Sequence, residues 1–392
     1  MPVETDESRL RKFIALQNDS ILILGPRRIP PLPCAAANTH YAISIVTSVG
    51  FSALESTQYA EAVQKLKPDI VFGMADVVDT RPGVKRLEKM GDRTQSWLRD
   101  LVTAVKADEG SQTEISLFAP ILPIEAEKQS YYLEALEEDL SEHISGLLLH
   151  DTSSVLSVPK SLSHLPRVLI ANSPSPHKLL DAIAVGVDIF TLPFVGAATD
   201  AGIALDFSFP AQKPDLSGTL LPLGLDMWSA AYAVDATPLQ DGCDCYTCSN
   251  HHKAYLQHLF SAKEMLGWTL LQLHNHYVMD NFFAGVRQSI EQDTFDRDVD
   301  VFARTYEYEL PEKTGQGPRY FSYVLLPRDM LLTLYRIRGY QYKSEGKGEP
   351  RINPPAYRSL DDGEEMLVEA ALPSPDVDSH DLEQQGFAER AD

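Results

Sequence analysis

The stretch CDCYTCSNHHKAYLQHLFSAKEMLGWTLLQLHNH (residues 243–276) places three cysteines within six positions and follows them with two segments of helical periodicity. A C-x-C-x2-C loop can wrap three thiolates around one ion, and zinc favours thiolate and imidazole ligands in a tetrahedron. The second segment carries a stripe of residues near one face of the predicted helix: Leu270, Leu271, His274, Tyr277, Val278 and Val286. The stretch therefore predicts a metal site with His274 on a buried face.

Spacing alone leaves the fourth ligand open. His251, His252 and His276 compete with His274, which the spacing favours only modestly. Clustered cysteines can also be small buried hydrophobes or a redox loop. Four protein ligands would leave no position for water or substrate, whereas a catalytic zinc keeps one open. We therefore expect a structural zinc ion.

Cysteine usage and hydropathy indicate the compartment. The chain has four cysteines, three of them in this one loop, whereas a secreted disulfide scaffold would carry more of them, spread more widely. No run of about 18 apolar residues occurs, and the start MPVETDESRLRKF lacks the apolar core of a secretory signal. These features predict a soluble, intracellular protein.

The formal charge of −22 argues against loose, charge-driven attraction to nucleic acid or anionic lipid. The charge is unevenly distributed, because residues 358–392 hold eleven acidic residues and two arginines. This composition predicts a disordered, acidic tail. The folded part is correspondingly less acidic than the total indicates.

Short apolar runs alternate with helix-period segments over the first half of the chain. Six runs read as buried strands, at residues 20–24, 68–74, 114–122, 145–150, 167–173 and 186–190. Four amphipathic segments lie between or beside them, at 53–67, 83–107, 123–143 and 175–186. This alternation predicts an α/β fold with a parallel sheet, either a (β/α) barrel or an open doubly wound sheet. The absence of GxGxxG and GxxxxGK[ST] loops weakens the open-sheet alternative.

The remaining segments define the predicted domain limits. A Pro- and Gly-containing insertion begins near residue 210, and two helices follow, at 252–266 and 268–291, with Gly267 as the break. We expect a barrel domain over 1–305 that includes a zinc subdomain over about 210–291. A C-terminal extension over 306–357, with a short basic, aromatic helix near 328–340, precedes the tail at 358–392.

The segment PLQDGCDCYTC…LHNHYVMDNFFAGVRQSI (238–290) resembles the zinc-binding region of tRNA-guanine transglycosylases in its CxCxxC, AYLxHL, E-x-L and L-x-x-HN elements. The resemblance extends upstream through LPRVLIANSPSPHKLLDAIAVGVDIF (165–190) and, more weakly, through residues 51–76, so it covers roughly residues 50–291. It implies that the zinc ligands are Cys243, Cys245, Cys248 and His274. It also implies an irregular (β/α)8 barrel, of the TIM type, with an inserted zinc subdomain.

Enzymes of this family use an aspartate nucleophile against ribose C1′ and a second aspartate for proton transfer. Thr191 occupies the nucleophile position that follows the GxDxF element, and its neutral hydroxyl would need an activating base. The DSGGFQ motif is absent, and LPFVGAATDAGIAL (192–205) replaces the basic PTRxxR stretch. The resemblance therefore implies a non-catalytic member of the family. The alternative is an active transglycosylase that uses other acids, such as Asp188 or Asp200.

By resemblance, a non-catalytic member pairs as a heterodimer with the catalytic subunit of queuine tRNA-ribosyltransferase and helps to position tRNA. Such members are cytoplasmic and associate peripherally with the mitochondrial outer membrane. Relatives carry further sequence before the strand at 20–24, so we expect either a truncated gene product or a barrel without its first units. A barrel scaffold outside tRNA modification is the third reading.

Overall fold

The computed structural model describes residues 9–317, except for 18, 30, 32–33, 35–36, 48–49, 79–81, 107–114, 172, 174, 212–218 and 316. The predicted helix at 328–340 and the acidic tail at 358–392 lie outside these residues, as does most of the predicted extension at 306–357. The predicted domain limits stay predictions.

The described residues form ten strands. In chain order they are β1 (Ile23–Leu24), β2 (Ala42–Thr47), β3 (Gly50–Glu55), β4 (Ile70–Phe72), β5 (Ser116–Ile121), β6 (Gly146–Leu149), β7 (Arg167–Leu169), β8 (Ile189–Phe190), β9 (Ile203–Leu205) and β10 (Gly224–Asp226). Six of them make one parallel sheet in the order β1-β4-β5-β6-β7-β8, and each predicted buried run contributes one strand. The prediction of a parallel α/β fold is confirmed.

Ten α-helices accompany these strands in the same part of the chain. They are α1 (Arg9–Phe13), α2 (Ser56–Leu66), α3 (Val84–Lys106), α4 (Ser130–Glu138), α5 (Pro176–Ala184), α6 (Pro193–Ala201), α7 (Tyr246–Asn250), α8 (Lys253–Ser261), α9 (Met265–Glu291) and α10 (Phe295–Thr305). Each of the four predicted amphipathic segments contains one of them.

The strand order distinguishes the two predicted architectures. Each new parallel strand of the sheet is added on the same side of the preceding one, from β1 to β8. A doubly wound sheet would reverse its direction at a switch point, whereas a barrel would not. The sheet is therefore a curled half-barrel. In the described residues β1 and β8 form its two edges, so the closed eight-stranded barrel stays a prediction.

Both faces of the half-barrel are covered. On the helix side, Val71, Leu117 and Leu147 pack with Leu98 of α3 and Tyr132 of α4 in the largest hydrophobic cluster. On the other side, a smaller cluster brings together the alternate residues of the strands: Phe72, Phe118, Leu148 and Val168. Burial on two faces explains why the strands read as continuous apolar runs.

Two antiparallel pairs were not predicted from the sequence. Strands β2 and β3 form a hairpin, with Ala42 opposite Glu55 and Thr47 opposite Gly50. Strands β9 and β10 pair antiparallel, with Ile203 opposite Asp226, instead of extending the parallel sheet. The β9–β10 pair packs beside α9, and so it carries the chain from the half-barrel into the segment that contains the cysteines.

The predicted helix break at Gly267 is wrong. Helix α8 ends at Ser261, Lys263 adopts a left-handed φ of 56°, and α9 begins at Met265, so Gly267 lies in the first turn of α9. A Cβ at Gly267 would lie 3.2 Å from the Leu259 Cβ, which is closer than side chains normally pack. Gly267 therefore permits the close approach of the two helices and does not separate them.

None of the described helices has the length and apolarity needed to cross a lipid bilayer.

Candidate metal centre

The structure brings together the four side chains that the sequence analysis grouped. Their ligand atoms, the Sγ atoms of Cys243, Cys245 and Cys248 and a ring nitrogen of His274, all lie within 4.8 Å of one another. The Nδ1 atom of His274 is 3.8 Å from Cys243 Sγ, 3.5 Å from Cys245 Sγ and 3.4 Å from Cys248 Sγ. Cys245 and His274 are buried, and the other two are half-buried.

The short helix α7 shapes the cysteine loop. Cys245 is the N-cap residue of this helix, and its Sγ accepts a hydrogen bond of 3.3 Å from the backbone N–H of Cys248. Inside α7, the buried hydroxyl of Thr247 donates to the carbonyl oxygen of Leu270 in α9 at 2.7 Å. These two bonds turn the sulfur atoms toward α9, where His274 lies one turn beyond Leu270.

The imidazole of His274 is oriented from behind by β9. Its Nε2–H donates a hydrogen bond of 2.9 Å to the carbonyl oxygen of Leu205, so Nδ1 faces the three sulfur atoms. The next residue, Asn275, accepts the Leu205 N–H at 2.9 Å and donates to the Ile203 carbonyl oxygen at 3.0 Å and the Thr199 hydroxyl at 2.9 Å. Helix α9 is therefore joined to β9 through both residues of the HN pair.

The pKa values in the cluster favour a thiolate at Cys245 next to a protonated His274. Burial raises the pKa of Cys245, but the contacts with His274 and the Cys248 N–H outweigh this effect and lower the pKa to about 6. Burial lowers the pKa of His274, but its contacts with the three sulfur atoms raise it to about 12. Burial is the largest cause of the raised pKa of Cys243. A divalent cation would supply the positive charge by displacing these protons.

The donor set fits a tetrahedral metal ion. Typical Zn–S and Zn–N bonds of about 2.3 and 2.0 Å give an edge of about 3.5 Å between sulfur and nitrogen ligands in a tetrahedron. The observed distances from His274 Nδ1 to the sulfur atoms are 3.4 to 3.8 Å. All four positions are supplied by protein side chains, which is the pattern of a closed, structural site.

The three competing histidines have other contacts. The ring of His251 stacks on Tyr255 with a centroid distance of 4.9 Å. The Nδ1 of His252 accepts a hydrogen bond of 3.1 Å from the Tyr255 N–H and so caps α8. His276 is exposed. In the part of the chain that the structure describes, His274 alone joins the cysteines.

Comparison with known proteins identifies the family. The family model for queuine tRNA-ribosyltransferase matches residues 3–308, which include the half-barrel and all four residues of the cluster. The chain belongs to the queuine tRNA-ribosyltransferase family.

Several relatives in this family carry the name "Queuine tRNA-ribosyltransferase accessory subunit 2". The relative from Schizosaccharomyces pombe is 38% identical over 323 residues, which cover 82% of this chain and 72% of the relative. The relative from Drosophila grimshawi is 30% identical over 72% of this chain and 70% of its own length. The relative from Anopheles gambiae is 29% identical over 74% of this chain and 71% of its own length.

The carboxyl edge of the half-barrel is where a family enzyme of this architecture would place its chemistry. Thr191 lies at this edge, directly after β8, and is half-buried. Its backbone N–H and its hydroxyl both donate to the carbonyl oxygen of Leu169, at 3.2 and 3.4 Å. The hydroxyl is thus engaged with the backbone of the neighbouring strand.

The two alternative acids lie elsewhere. Asp188 precedes β8, at the amino edge of the sheet, and its carboxylate accepts the backbone N–H of Arg167 at 2.8 Å. Asp200 lies in the last turn of α6, where burial raises its pKa to about 6. Neither carboxylate is hydrogen-bonded to Thr191 in the described structure. The Asp188 carboxylate instead bonds the backbone at the start of β7.

A buried ionic network at the same carboxyl edge was not predicted from the sequence. Asp76, with no exposed area, follows β4 and contacts Arg86, Arg93 at 3.1 Å and the Asn38 amide at 2.7 Å. The Asn38 carbonyl oxygen accepts from Arg86 at 3.2 Å and from Arg93 at 3.1 Å. The seven-residue spacing of the two arginines on one face of a predicted helix was the available signal.

Proposed function

We propose that this chain is a non-catalytic accessory subunit that pairs with a catalytic queuine tRNA-ribosyltransferase for the exchange of guanine for queuine at the tRNA wobble position. The observation that carries the proposal is the bonding of Thr191, the residue that the family resemblance aligns with the nucleophile. Thr191 offers a neutral hydroxyl, and its hydrogen bond goes to the Leu169 carbonyl oxygen, which cannot act as a general base. The names of the relatives support the same role.

The contacts of two described carboxylates, Asp76 at this edge and Asp188 at the opposite one, support a silent site. Asp76 is already paired with two guanidinium groups and an amide, so its charge is neutralised and its lone pairs are used. Asp188 is held by a backbone N–H at the opposite edge. A carboxylate that attacks ribose or transfers protons needs an open approach to the substrate.

We further propose that Cys243, Cys245, Cys248 and His274 hold one structural Zn²⁺ ion. The ion would connect the cysteine loop to α9, and α9 is joined to β9 through the His274 and Asn275 bonds. The site would therefore fix the position of the long helix relative to the half-barrel. This role needs no open coordination position.

The partner surface in this proposal lies on α7 and α9, close to the metal centre. Leu266 and Leu273 are seven residues apart on α9, 46% and 48% exposed, and Tyr246 on α7 is 60% exposed. Large apolar side chains that share one helix face and remain exposed are typical of a protein–protein interface. We place the heterodimer contact here, with tRNA bound by the assembled complex.

The proposal also includes the closed barrel and the cellular location that the family resemblance implies. Closure of the (β/α)8 barrel would cover the edges at β1 and β8, which are unpaired in the described residues. We propose a cytoplasmic protein, peripherally associated with the mitochondrial outer membrane through its complex.

A base-exchange assay with labelled guanine tests the proposed function. The purified chain alone should incorporate no label into tRNA above the level without enzyme, while addition of the catalytic subunit should give full activity. Turnover by the chain alone at a rate comparable to that of the catalytic subunit would overturn the proposal.

Size-exclusion chromatography of the two subunits tests the proposed contact. The variant Leu273→Glu should abolish co-elution with the catalytic subunit because it places a charge in an apolar interface. Leu156→Glu is the matched control, since Leu156 is 88% exposed and belongs to the short helix Thr152–Ser157, not to α7 or α9. Equal pairing of both variants would place the interface elsewhere.

A further inference from the structure

An open groove lies between α6 and the last part of the chain that the structure describes. Its volume is about 260 Å³, and among its described lining residues only Lys313 is charged. The apolar lining comes from α6, from the start of β9 and from the chain after α10; it includes Ala197, Ala201, Ile203, Leu310 and Pro311. A groove below the roughly 300–1,000 Å³ of sites for drug-sized ligands suits a few apolar side chains.

The segment that forms one wall of the groove, residues 308–315, is fixed to the domain on both sides of Leu310 and Pro311. Before them, the ring of Tyr308 stacks on the buried ring of His177, with a centroid distance of 4.3 Å. After them, the hydroxyl of Thr314 donates to the carboxylate of Asp226. The position of this wall relative to α6 is therefore set by contacts with the rest of the domain.

The part of the chain that the structure describes ends beside this groove. A Cβ at Gly315 would lie 2.1 Å from the ring of Trp228, and a Cβ at Gly317 would lie 3.2 Å from the Asp200 carbonyl oxygen. Gly317 is the last described residue, and Ala201, next to Asp200, lines the groove. At 3.3–3.6 Å per extended residue, the next four residues reach at most about 14 Å. They can therefore enter the groove without a long linker.

A carboxylate without a partner among the described residues lies next to the groove. Asp200 is half-buried in the last turn of α6, and its carboxylate forms no hydrogen bond or ion pair with these residues. Burial raises its pKa to about 6, and the negative end of the helix dipole lies at the same terminus. A cation placed beside Asp200 would offset both effects.

The sequence after Gly317 has the chemistry that complements this surface. Arg319 is two positions beyond Gly317, and YFSYVLL (320–326) has six aromatic or aliphatic residues in seven positions. In an extended segment alternate side chains share one face, so Phe321, Tyr323 and Leu325 would point to the same side. The sequence thus offers a cation first and an apolar face directly after it.

We infer that residues 319–325 of the same chain occupy this groove, with Arg319 paired with Asp200 and Phe321, Tyr323 and Leu325 on the apolar walls. A segment tethered by one or two residues is present at an effective concentration on the order of millimolar, so even a weak contact is populated. The same segment of a second copy would need that concentration in free solution. The short tether therefore favours docking within one chain.

Limited digestion of the purified full chain with chymotrypsin tests this inference, because the protease cleaves after accessible aromatic residues. Mass spectrometry follows cleavage after Phe321 and Tyr323, which should be slow in the unmodified chain. Ala197→Glu places a charge on the exposed wall of the groove and should speed this cleavage about 10-fold, since the rate follows the population of the undocked segment.

Ala126→Glu is the matched control, since Ala126 is exposed in the short helix Ala126–Gln129 and does not line the groove. It should leave the cleavage rate unchanged, and urea unfolding should show that both variants keep the stability of the unmodified chain. Phe321→Ser changes only the docking segment and should speed cleavage after Tyr323. Equal rates in the unmodified chain and in all three variants would overturn the docking site.

Charge reversal tests the ion pair. Arg319→Glu and Asp200→Arg should each speed cleavage, and the double variant should restore most of the protection, because opposite charges again face each other. Absence of this rescue would overturn the pairing of Arg319 with Asp200. Protection that rises with protein concentration would assign the groove to the segment of a second copy and overturn docking within one chain. None of these outcomes depends on base exchange, on zinc or on the catalytic subunit.

Discussion

The carbonyl oxygen of Leu205 lies 2.9 Å from Nε2 of His274, although the two residues are 69 positions apart. This bond sets the ring so that Nδ1 faces the three cysteine sulfur atoms at 3.4 to 3.8 Å. A strand of the α/β domain thus determines which nitrogen of the histidine can bind a metal ion. The candidate metal site and the fold are therefore coupled through β9.

The first prediction concerns metal content. Cys245→Ser should lose most of its bound zinc, because Cys245 is buried, contacts His274 and caps the helix that carries Cys248. Cys34→Ser is the control, since Cys34 lies in another part of the chain and its Sγ donates to the Ser44 carbonyl oxygen at 3.3 Å. Metal analysis by mass spectrometry should separate the two. Unchanged zinc in Cys245→Ser would refute the ligand assignment.

The second prediction concerns the coupling of α9 to β9. Asn275→Ala leaves the buried N–H of Leu205 and the carbonyl oxygen of Ile203 without these partners, which should cost about 1–3 kcal/mol of unfolding free energy. Strand β9, whose Leu205 carbonyl oxygen orients the His274 ring, is then held less firmly to α9, so zinc affinity should fall about 10-fold. Urea unfolding and competition with a chelator measure the two effects. Stability lost with unchanged zinc affinity would show that β9 does not position the ligand.

The cysteine loop of the candidate metal site was predictable from the sequence because its signal is local. Three cysteines in one loop can be recognised without knowledge of distant residues, whereas the choice of His274 among four histidines came from the family resemblance; the structure brings these four side chains together. The six strands of the parallel sheet were also predicted from a local signal. Strands that are buried on both faces consist of continuous apolar runs. The alternation of strands and helices predicted a parallel sheet, but the order of its strands came from the structure.

Other features depend on partners far apart in the chain. Asp76 reads as an ordinary polar residue after a strand until Arg86, Arg93 and Asn38 are seen around it. Most residues of the second strand in the hairpin at residues 42–55 are exposed, and few of them are apolar. The alternation of apolar and polar residues that predicts a strand was therefore weak there. Gly267 was read as a helix breaker because the close contact with Leu259 is visible only in three dimensions.

A third prediction tests the Asp76 network. Asp76→Asn removes the carboxylate that pairs with Arg86 and Arg93, which should cost about 3–5 kcal/mol, because two guanidinium groups, about 20% and 13% exposed, lose their counter-charge. Asp139→Asn breaks the exposed ion pair with Arg99 and should cost less than about 1 kcal/mol. Urea unfolding of both variants measures the difference. Equal costs would show that the buried network contributes no more than a surface pair.

A fourth prediction concerns acid stability. Burial lowers the pKa of His150 from 6.5 to about 4 in the folded chain, and the charge of Arg27 adds to this effect. The charge of Asp151 raises the pKa, but by less. The unfolded chain therefore binds more protons between these values, so this stabilisation is present above pH 6.5 and is lost as the pH falls toward 4. Between pH 7 and 5 the loss should be about 2 kcal/mol.

His150→Gln removes the titrating group, so its unfolding free energy should fall less than that of the unmodified chain over the same pH range. Urea unfolding at several pH values measures both curves, and their difference isolates His150 from the carboxylates that also titrate. Parallel curves would show that His150 does not charge on unfolding in this range.

The last prediction concerns Thr191, which we propose to occupy the position of the family nucleophile. Its hydroxyl makes one bond of 3.4 Å to the Leu169 carbonyl oxygen, so Thr191→Ala should change unfolding by no more than about 1 kcal/mol. In the complex with the catalytic subunit, guanine exchange should stay within about two-fold, because removal of a true acid–base group costs about 100-fold or more. Thr191→Asp, assayed alone, should remain inactive, since a carboxylate without a second acid supplies only half of the chemistry. A 100-fold loss in Thr191→Ala would assign the hydroxyl a part in the reaction and would reverse the proposal that this edge is silent.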